Sequence, residues 1–223
     1  YTLAFNYPRT NLPERIAREN QREAFFRDEL AQLFALGQET GLDITTLTGS
    51  YAGAMGWGQF MPSSYRLYSV DHDADGRRDL FNSLDDVFAS VANYFVVKGG
   101  WMPGRPVMVS AAYTPGGLPL ADESGEPILT LAALEQAGYR PLAPVPPDIG
   151  GAPIMLEGDA GNEYWLTFRN FRAIWSYNNS IRYATAVYQL GEAIAGRPFP
   201  QPTAPAPAPQ TPPPTNPPAG ATP

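Results

Sequence analysis

The residues best suited to chemistry form an acidic loop in which aspartates alternate with other residues. Asp71, Asp73 and Asp75 occupy positions 1, 3 and 5 of an EF-hand-like loop, and Gly76 occupies position 6, where such a loop turns sharply. Carboxylates this close repel by about 1–3 kcal/mol per pair, and a hard divalent cation would remove that repulsion. The spacing therefore predicts a cation site. The alternative is a solvated acidic turn that neighbouring arginines partly neutralise.

The remaining ligand positions of this loop are only partly filled. Position 12 of a calcium loop normally carries a bidentate glutamate, but this chain has Asn82, which offers a single side-chain oxygen. Arg77 would contribute its backbone carbonyl, and Asp79 would bind directly or through water. We therefore predict a structural site of moderate affinity for Ca²⁺, with Na⁺ as the alternative ion. Its predicted ligands are Asp71, Asp73, Asp75, Arg77, Asp79 and Asn82.

A second segment, residues 49–65, combines small residues, neutral polar groups and aromatic rings. Its glycines and alanines let the backbone approach a ligand or another helix closely. Ser50 and Gln59 supply hydrogen-bonding groups, and a sugar presents both polar edges and apolar ring faces. The composition predicts a sugar site, with tight core packing as the alternative. The flat apolar faces belong to Tyr51, Trp57, Phe60 and Tyr65.

Composition excludes several classes of function. The net charge is −7, so the summed field repels nucleic acid, and no nucleic-acid partner is expected. The chain has no cysteine, which excludes disulfides, thiolate metal sites and cysteine nucleophiles. The chain has a single histidine, His72, which disfavours a Ser-His-Asp triad and a multi-histidine metal site.

Periodicity predicts the elements that carry these two segments. A helix should start at residues 11–14, with a cap and Pro13 at its first position. A second should bury Leu84, Val87, Phe88, Val91 and Phe95, after a capping box formed by Ser83 and Asp86, and a third should span 181–195. Short strands are predicted at 107–112, 154–156 and 164–168.

The predicted fold class is α+β, mainly α. The predicted divisions are a helical core at 1–104, a small β-containing region at 105–169, a helical return to the core at 170–196 and a tail at 197–223. The tail holds 12 of the 25 prolines and no charge after Arg197, which predicts a disordered, extended spacer.

The segment GSYAGAMGWGQFMPSSY, followed by the acidic loop and then by LDDVFASVANYF, closely resembles the membrane-bound lytic transglycosylase B family. The resemblance runs from Phe5–Pro8 to Tyr188–Gly191 and leaves out the proline-rich tail. It implies a lysozyme-like helical core and an enzyme that cleaves the glycan strands of peptidoglycan between N-acetylmuramic acid and N-acetylglucosamine. One glutamic acid protonates the glycosidic oxygen and then accepts the proton of the C6 hydroxyl, giving a 1,6-anhydro product.

The resemblance also implies which residues bind substrate. Ser50 and Gln59 match positions that line the cleft near the acid, Tyr94 matches a cleft tyrosine, and Asn178 lies beside matching aromatics. The cation loop matches too, although its last ligand is usually Asp in the family. With the residues taken from composition, the predicted substrate-binding set is Ser50, Tyr51, Met55, Gln59, Phe60, Tyr94, Tyr177, Asn178 and Tyr183.

The catalytic glutamate of the family precedes the Phe-Asn-Tyr-Pro motif, and no residue here matches it. We therefore expect the acid to lie upstream of Tyr1, on a longer enzyme or on a separate N-terminal fragment, and the chain alone to be inactive. Glu39 is the weaker substitute, since an exposed glutamate at a helix end explains it better. The alternatives are a non-catalytic peptidoglycan-binding module and a hydrolase that uses Glu39. By resemblance, the protein is expected in the periplasm, attached to the outer membrane through an N-terminal segment.

Overall fold

A computed structural model describes residues 2–114, 128–159 and 161–198. Within these ranges the helices are α1 (Thr2–Phe5), α2 (Pro13–Thr40), α3 (Pro62–Tyr68), α4 (Leu84–Val97), α5 (Leu131–Gln136), α6 (Arg169–Trp175) and α7 (Ile181–Ile194). The strands are β1 (Met108–Tyr113), β2 (Leu129–Thr130), β3 (Tyr139–Pro141), β4 (Gly150–Gly158) and β5 (Gly161–Thr167). The predicted mixture of helices and strands is confirmed. The predicted tail lies outside the described residues, apart from 197 and 198.

The described chain divides into two compact units. The first contains 2–105 and 169–179, hence α1 to α4 and α6, and the second contains the other described residues, hence the strands, α5 and α7. The predicted helical return over 170–196 is thus divided between the two units, and the predicted domain divisions stay a prediction. No helix among the described residues combines the length and the apolarity that crossing a bilayer requires.

Helix α2 is the long scaffold of the first unit. Pro13 begins it as predicted, because its missing N–H costs nothing in a first helical turn. The predicted side-chain cap is wrong: the N-cap residue is Leu12, and no side chain caps the helix. The helix ends at Gly41, whose left-handed backbone (φ 73°) directs its N–H to the Gly37 carbonyl.

Helix α4 buries only part of the predicted apolar set. Val87 is buried as predicted, and Val91 and Phe95 pack against the core. Leu84 and Phe88 are exposed, whereas Asp86, Ser90 and Tyr94 are buried. The buried positions follow the spacing i, i+4 and i+8, so one side of the helix carries all three. The reason is polar: the Asp86 carboxylate accepts hydrogen bonds from the acidic loop, and Ser90 Oγ accepts one from the Val70 N–H. The apolar core beside them contains Leu33, Leu36, Met55, Phe60, Tyr65, Leu80, Val87 and Tyr94.

The second unit is built on a five-stranded antiparallel sheet in the order β2-β4-β5-β1-β3. Strand β4 extends beyond the predicted 154–156 because its pairing with β5 runs from Ala152 opposite Thr167 to Gly158 opposite Gly161. Buried Trp165 lies opposite Ile154 in this hairpin. The edge strands β2 and β3 and the short helix α5 were not predicted, since segments of two to six residues are too short to show a period.

Candidate functional site

The small-residue segment folds into a tight double turn in the first unit. Met55 pairs with both Gly49 and Phe60, and two backbone hydrogen bonds join Met55 to Phe60. Gly56 lies at φ 69°, and a Cβ there would stand 2.5 Å from the Leu80 carbonyl oxygen, so only glycine fits. Gln59 also adopts a positive φ, 50°. The small residues therefore serve a close backbone approach to residue 80.

This double turn borders a groove of about 580 Å³. Ser50 and Gln59 are both exposed on its wall. Ser50 Oγ accepts a hydrogen bond from the Ala54 N–H, and Gln59 Nε2 donates one to the Gly56 carbonyl at 2.9 Å. Neither of these hydrogen bonds uses the Ser50 hydroxyl hydrogen or the Gln59 amide oxygen. The described lining comprises Thr48, Gly49, Ser50, Gly56, Trp57, Gln59 and Phe81.

A second groove, of about 530 Å³, adjoins the first through Thr48, Gly49 and Ser50. Its other described walls are largely apolar and include Leu30 and Phe34 of α2 and exposed Tyr51. Tyr51 therefore lies on the double turn but lines this neighbouring groove.

Other predicted substrate residues form the support of the double turn. Phe60, Tyr94 and Tyr177 make one aromatic cluster, with ring centroids 5.0 to 5.8 Å apart. Tyr177 Oη donates to the Gly58 carbonyl, and Tyr94 Oη donates to the Ser176 carbonyl at 2.8 Å. Burial raises the pKa of Tyr94. With Met55, these side chains pack beneath the turn, so they hold the polar wall in place.

Two further predicted substrate residues belong to different units. Asn178 is exposed in the first unit, after α6. Tyr183 is half-buried on α7 in the second unit, where burial raises its pKa. Their role in binding stays a prediction.

The acidic loop folds around its own carboxylates. Asp71 Oδ2 accepts the Gly76 N–H at 2.9 Å, Asp73 Oδ1 accepts the Asp75 N–H, and Asp75 Oδ1 accepts the Arg77 N–H at 2.8 Å. Gly76, at φ 88°, makes the sharp turn that the sequence predicts. Asp71 and Asp73 carry carboxylate oxygens within 4.8 Å of each other and of a third carboxylate.

That third carboxylate belongs to Asp86, which the sequence analysis did not place in the site. Asp86 is fully buried; its Oδ1 accepts the His72 N–H at 2.7 Å and its Oδ2 accepts the Asp79 N–H at 2.8 Å. The signal was present but was interpreted as half of a capping box. Ser83 Oγ does accept the Asp86 N–H, whereas the Asp86 carboxylate turns to the loop instead of to Ser83.

The later predicted ligands have partners within the loop. Asp79 Oδ1 accepts the N–H groups of Phe81 and Asn82, and the Asn82 side-chain amide donates to the same carboxylate. Burial alone would raise the pKa of Asp79, but these hydrogen bonds together lower it. The oxygens grouped closely enough for one ion are those of Asp71, Asp73 and Asp86. Ligand roles for Asp75, Arg77, Asp79 and Asn82 stay predictions.

The donor set fits a hard cation. Asp71 Oδ1 is a buried carboxylate oxygen with no hydrogen-bond partner, and Asp71 belongs to the cluster of three carboxylates. A buried, unpaired carboxylate oxygen is costly, and a cation of the calcium type would satisfy it with an oxygen ligand.

Glu39 lies in a different environment from these groups. Its carboxylate is exposed at the end of α2 and pairs with the Arg66 guanidinium. The hydrogen bond from Arg66 lowers the pKa of Glu39. A general acid for glycoside cleavage needs a raised pKa, so this environment disfavours the Glu39 alternative.

Comparison with known proteins places the chain among transglycosylases. The family model of the transglycosylase SLT domain matches residues 1–192. Membrane-bound lytic murein transglycosylase B of Escherichia coli K12 is 40% identical over 194 residues, which is 87% of this chain and 49% of the relative. The chain thus spans about half the length of this curated relative.

Solved structures agree with the sequence match. Escherichia coli lytic transglycosylase Slt35 in complex with calcium is 38% identical, with a TM-score of 0.74 over 87% of this chain and 57% of that one. SltB3 of Pseudomonas aeruginosa in complex with NAG-anhNAM-pentapeptide is 32% identical, with a TM-score of 0.65 over 79% of this chain and 48% of that one. The chain belongs to the transglycosylase SLT domain family.

Proposed function

We propose that this chain provides the glycan-binding groove and the calcium loop of a peptidoglycan lytic transglycosylase. The observation that carries the proposal is the groove beside the double turn, whose wall presents Ser50, Trp57 and Gln59. Neutral donors and acceptors beside an aromatic ring suit a sugar, which has polar edges and apolar faces. Family membership supports the same substrate class, since SltB3 was solved in complex with NAG-anhNAM-pentapeptide.

The reaction proposed for the whole enzyme is cleavage of the β-1,4 bond between N-acetylmuramic acid and N-acetylglucosamine, with formation of a 1,6-anhydro ring. In this scheme Ser50 and Gln59 orient the glycan by hydrogen bonds. The aromatic cluster beneath them keeps their positions fixed, which raises the fraction of bound substrate in a reactive geometry. The proton donor is a glutamic acid that we place outside this chain, on an upstream segment or a separate N-terminal fragment.

We further propose a structural calcium ion at the acidic loop. Asp71, Asp73 and Asp86 would hold it, and it would neutralise their mutual repulsion and order residues 71–82. The calcium complex of Slt35 supports this choice over sodium. We also propose that the helical unit has a lysozyme-like fold. We place the protein in the periplasm, attached to the outer membrane, and the name of the membrane-bound Escherichia coli relative supports this location.

Purified peptidoglycan sacculi test the proposed function. The 223-residue chain should cosediment with sacculi and release no anhydro-muropeptides, whereas a protein that includes the upstream segment should release them. Binding without any release by either protein would favour a non-catalytic peptidoglycan-binding module. Release of anhydro-muropeptides by the chain alone, abolished in Glu39→Gln, would favour a transglycosylase that uses Glu39, and release of reducing muropeptides, abolished in the same variant, would favour a hydrolase that uses it. Absence of binding would contradict the proposal.

A further inference from the structure

Trp57 is a large apolar side chain that remains in solvent on the groove wall. It is 72% exposed, and it lines the groove together with Ser50 and Gln59. An isolated exposed ring is common on protein surfaces and by itself indicates nothing. Its position beside two neutral polar side chains is what makes it relevant to a ligand.

The indole is also anchored, unlike a ring that moves freely in solvent. Trp57 Nε1 donates to the Phe81 carbonyl at 3.0 Å, and its backbone N–H donates to the Leu80 carbonyl at 2.9 Å. The glycine at position 56 permits this approach, because a Cβ there would collide with the same Leu80 carbonyl. The ring is therefore held at its polar edge while most of its apolar surface stays accessible. A ring held in advance loses little freedom when a ligand covers it.

We propose that Trp57 is a glycan-binding residue, whose ring packs against the apolar face of a sugar in the groove. The proposal rests on the proposed function, because it takes peptidoglycan glycan as the ligand. An aromatic face suits the C–H face of a pyranose, and Ser50 and Gln59, which line the same groove, would bind hydroxyl groups of the glycan.

The anchor of Trp57 connects the groove to the acidic loop. Asp86 Oδ2 accepts the Asp79 N–H, Asp79 Oδ1 accepts the Phe81 N–H, and the Phe81 carbonyl accepts the indole N–H. A cation at the carboxylate cluster would hold Asp86, the first residue of this series of hydrogen bonds, in place. Cation binding and glycan binding should therefore strengthen each other, and the effect must be reciprocal.

Calorimetric titration of the 223-residue chain with NAG-anhNAM-pentapeptide tests the proposal. Trp57→Ala should weaken binding at least about tenfold, and Trp57→Phe, which keeps a ring but lacks the anchor, should weaken it less. The matched control is Phe88→Ala, which removes a 68% exposed ring from the outer side of α4 and should leave affinity unchanged. Circular dichroism should find all the variants folded.

Calcium provides the second readout. Replacing calcium by a chelator should weaken glycan binding by the wild type several-fold, and should leave the residual binding of Trp57→Ala unchanged. Equal affinities of wild type and Trp57→Ala would overturn the assignment of Trp57, and a calcium effect of equal size in both would overturn the coupling. Failure of the wild type to bind the muropeptide at all would instead contradict the proposed function.

Discussion

Replacing Asp86 by asparagine tests the structure of the acidic loop most sharply. In the wild type, the two carboxylate oxygens accept the His72 and Asp79 N–H groups at 2.7 and 2.8 Å. An asparagine accepts at only one of these atoms and places a second donor against the other N–H. Losing one hydrogen bond to a charged group costs about 1.5–3 kcal/mol, and the unsatisfied buried N–H adds about 1–3 kcal/mol.

The same substitution also relieves repulsion of similar size. The Asp86, Asp71 and Asp73 oxygens lie within 4.8 Å of one another, and each of the two pairs that are removed repels by about 1–3 kcal/mol. The two effects largely cancel, and Asp86→Asn should change the free energy of unfolding by less than about 2 kcal/mol without calcium.

Calcium should widen that difference. At about 100 times its dissociation constant, a bound ion stabilises the wild type by about 2.7 kcal/mol, or roughly 5–11 °C in Tm for a chain of this size. Asp86→Asn has lost a ligand oxygen and should gain much less. The assay is urea unfolding followed by circular dichroism, with chelator and with calcium chloride. Asp85→Asn is the matched control, since Asp85 is the exposed neighbour on α4 and should change stability by less than about 1 kcal/mol. The reasoning fails if the two variants unfold within about 0.5 kcal/mol of each other in both buffers.

Three other predictions concern separate parts of the fold. Glu29 is 2% exposed, and its carboxylate accepts both the N–H and the hydroxyl of Ser63. Glu29→Gln should therefore lower the free energy of unfolding, measured by urea denaturation, by about 2 kcal/mol. An unchanged urea midpoint would contradict this. Gly138 lies at φ 89° against the Thr114 carbonyl, whereas a Cβ on Gly191 in α7 meets open space. In thermal unfolding, Gly138→Ala should therefore destabilise the folded protein by about 2 kcal/mol or more, whereas Gly191→Ala should stabilise it by about 0.5–1 kcal/mol. The reverse order of stabilities would refute the backbone conformations assigned to these two glycines. Burial, with neighbouring tyrosines, raises the pKa of Tyr139 to about 12, above its usual 10.0, so the stability that it contributes is complete below pH 10.0 and is lost as pH rises toward 12. Tyrosinate absorbance should show that part of the tyrosine signal ionises late and that this part shrinks in Tyr139→Phe, and joint ionisation of all tyrosines near 10 would be the contrary result.

The residues that sequence reasoning located best are those with a local signature. Helix α4 begins where Ser83 indicates, α2 begins at Pro13, and the Asp71–Gly76 spacing produces the turn that an EF-hand-like loop requires. Strand β1 lies within one residue of its predicted position. These features depend on neighbours in the chain, which the sequence displays directly.

What sequence reasoning could not find depends on contacts between distant segments. The apolar repeat of α4 includes Leu84 and Phe88, which are exposed, and it misses Asp86, which is buried against residues 72 and 79. The anchoring of Trp57 to Leu80 and Phe81 joins segments 23–24 residues apart, and no local pattern marks it. Hydrophobic periodicity reports the spacing of apolar residues and carries no information about polar contacts of this kind.

A crystal structure of the chain with NAG-anhNAM-pentapeptide and calcium would test the central claim most directly. We predict a sugar ring in the groove, in hydrogen-bonding distance of Ser50 and Gln59 and in contact with the Trp57 ring, with calcium on Asp71, Asp73 and Asp86. Muropeptide bound elsewhere on the first unit, with this groove containing only water, would contradict it.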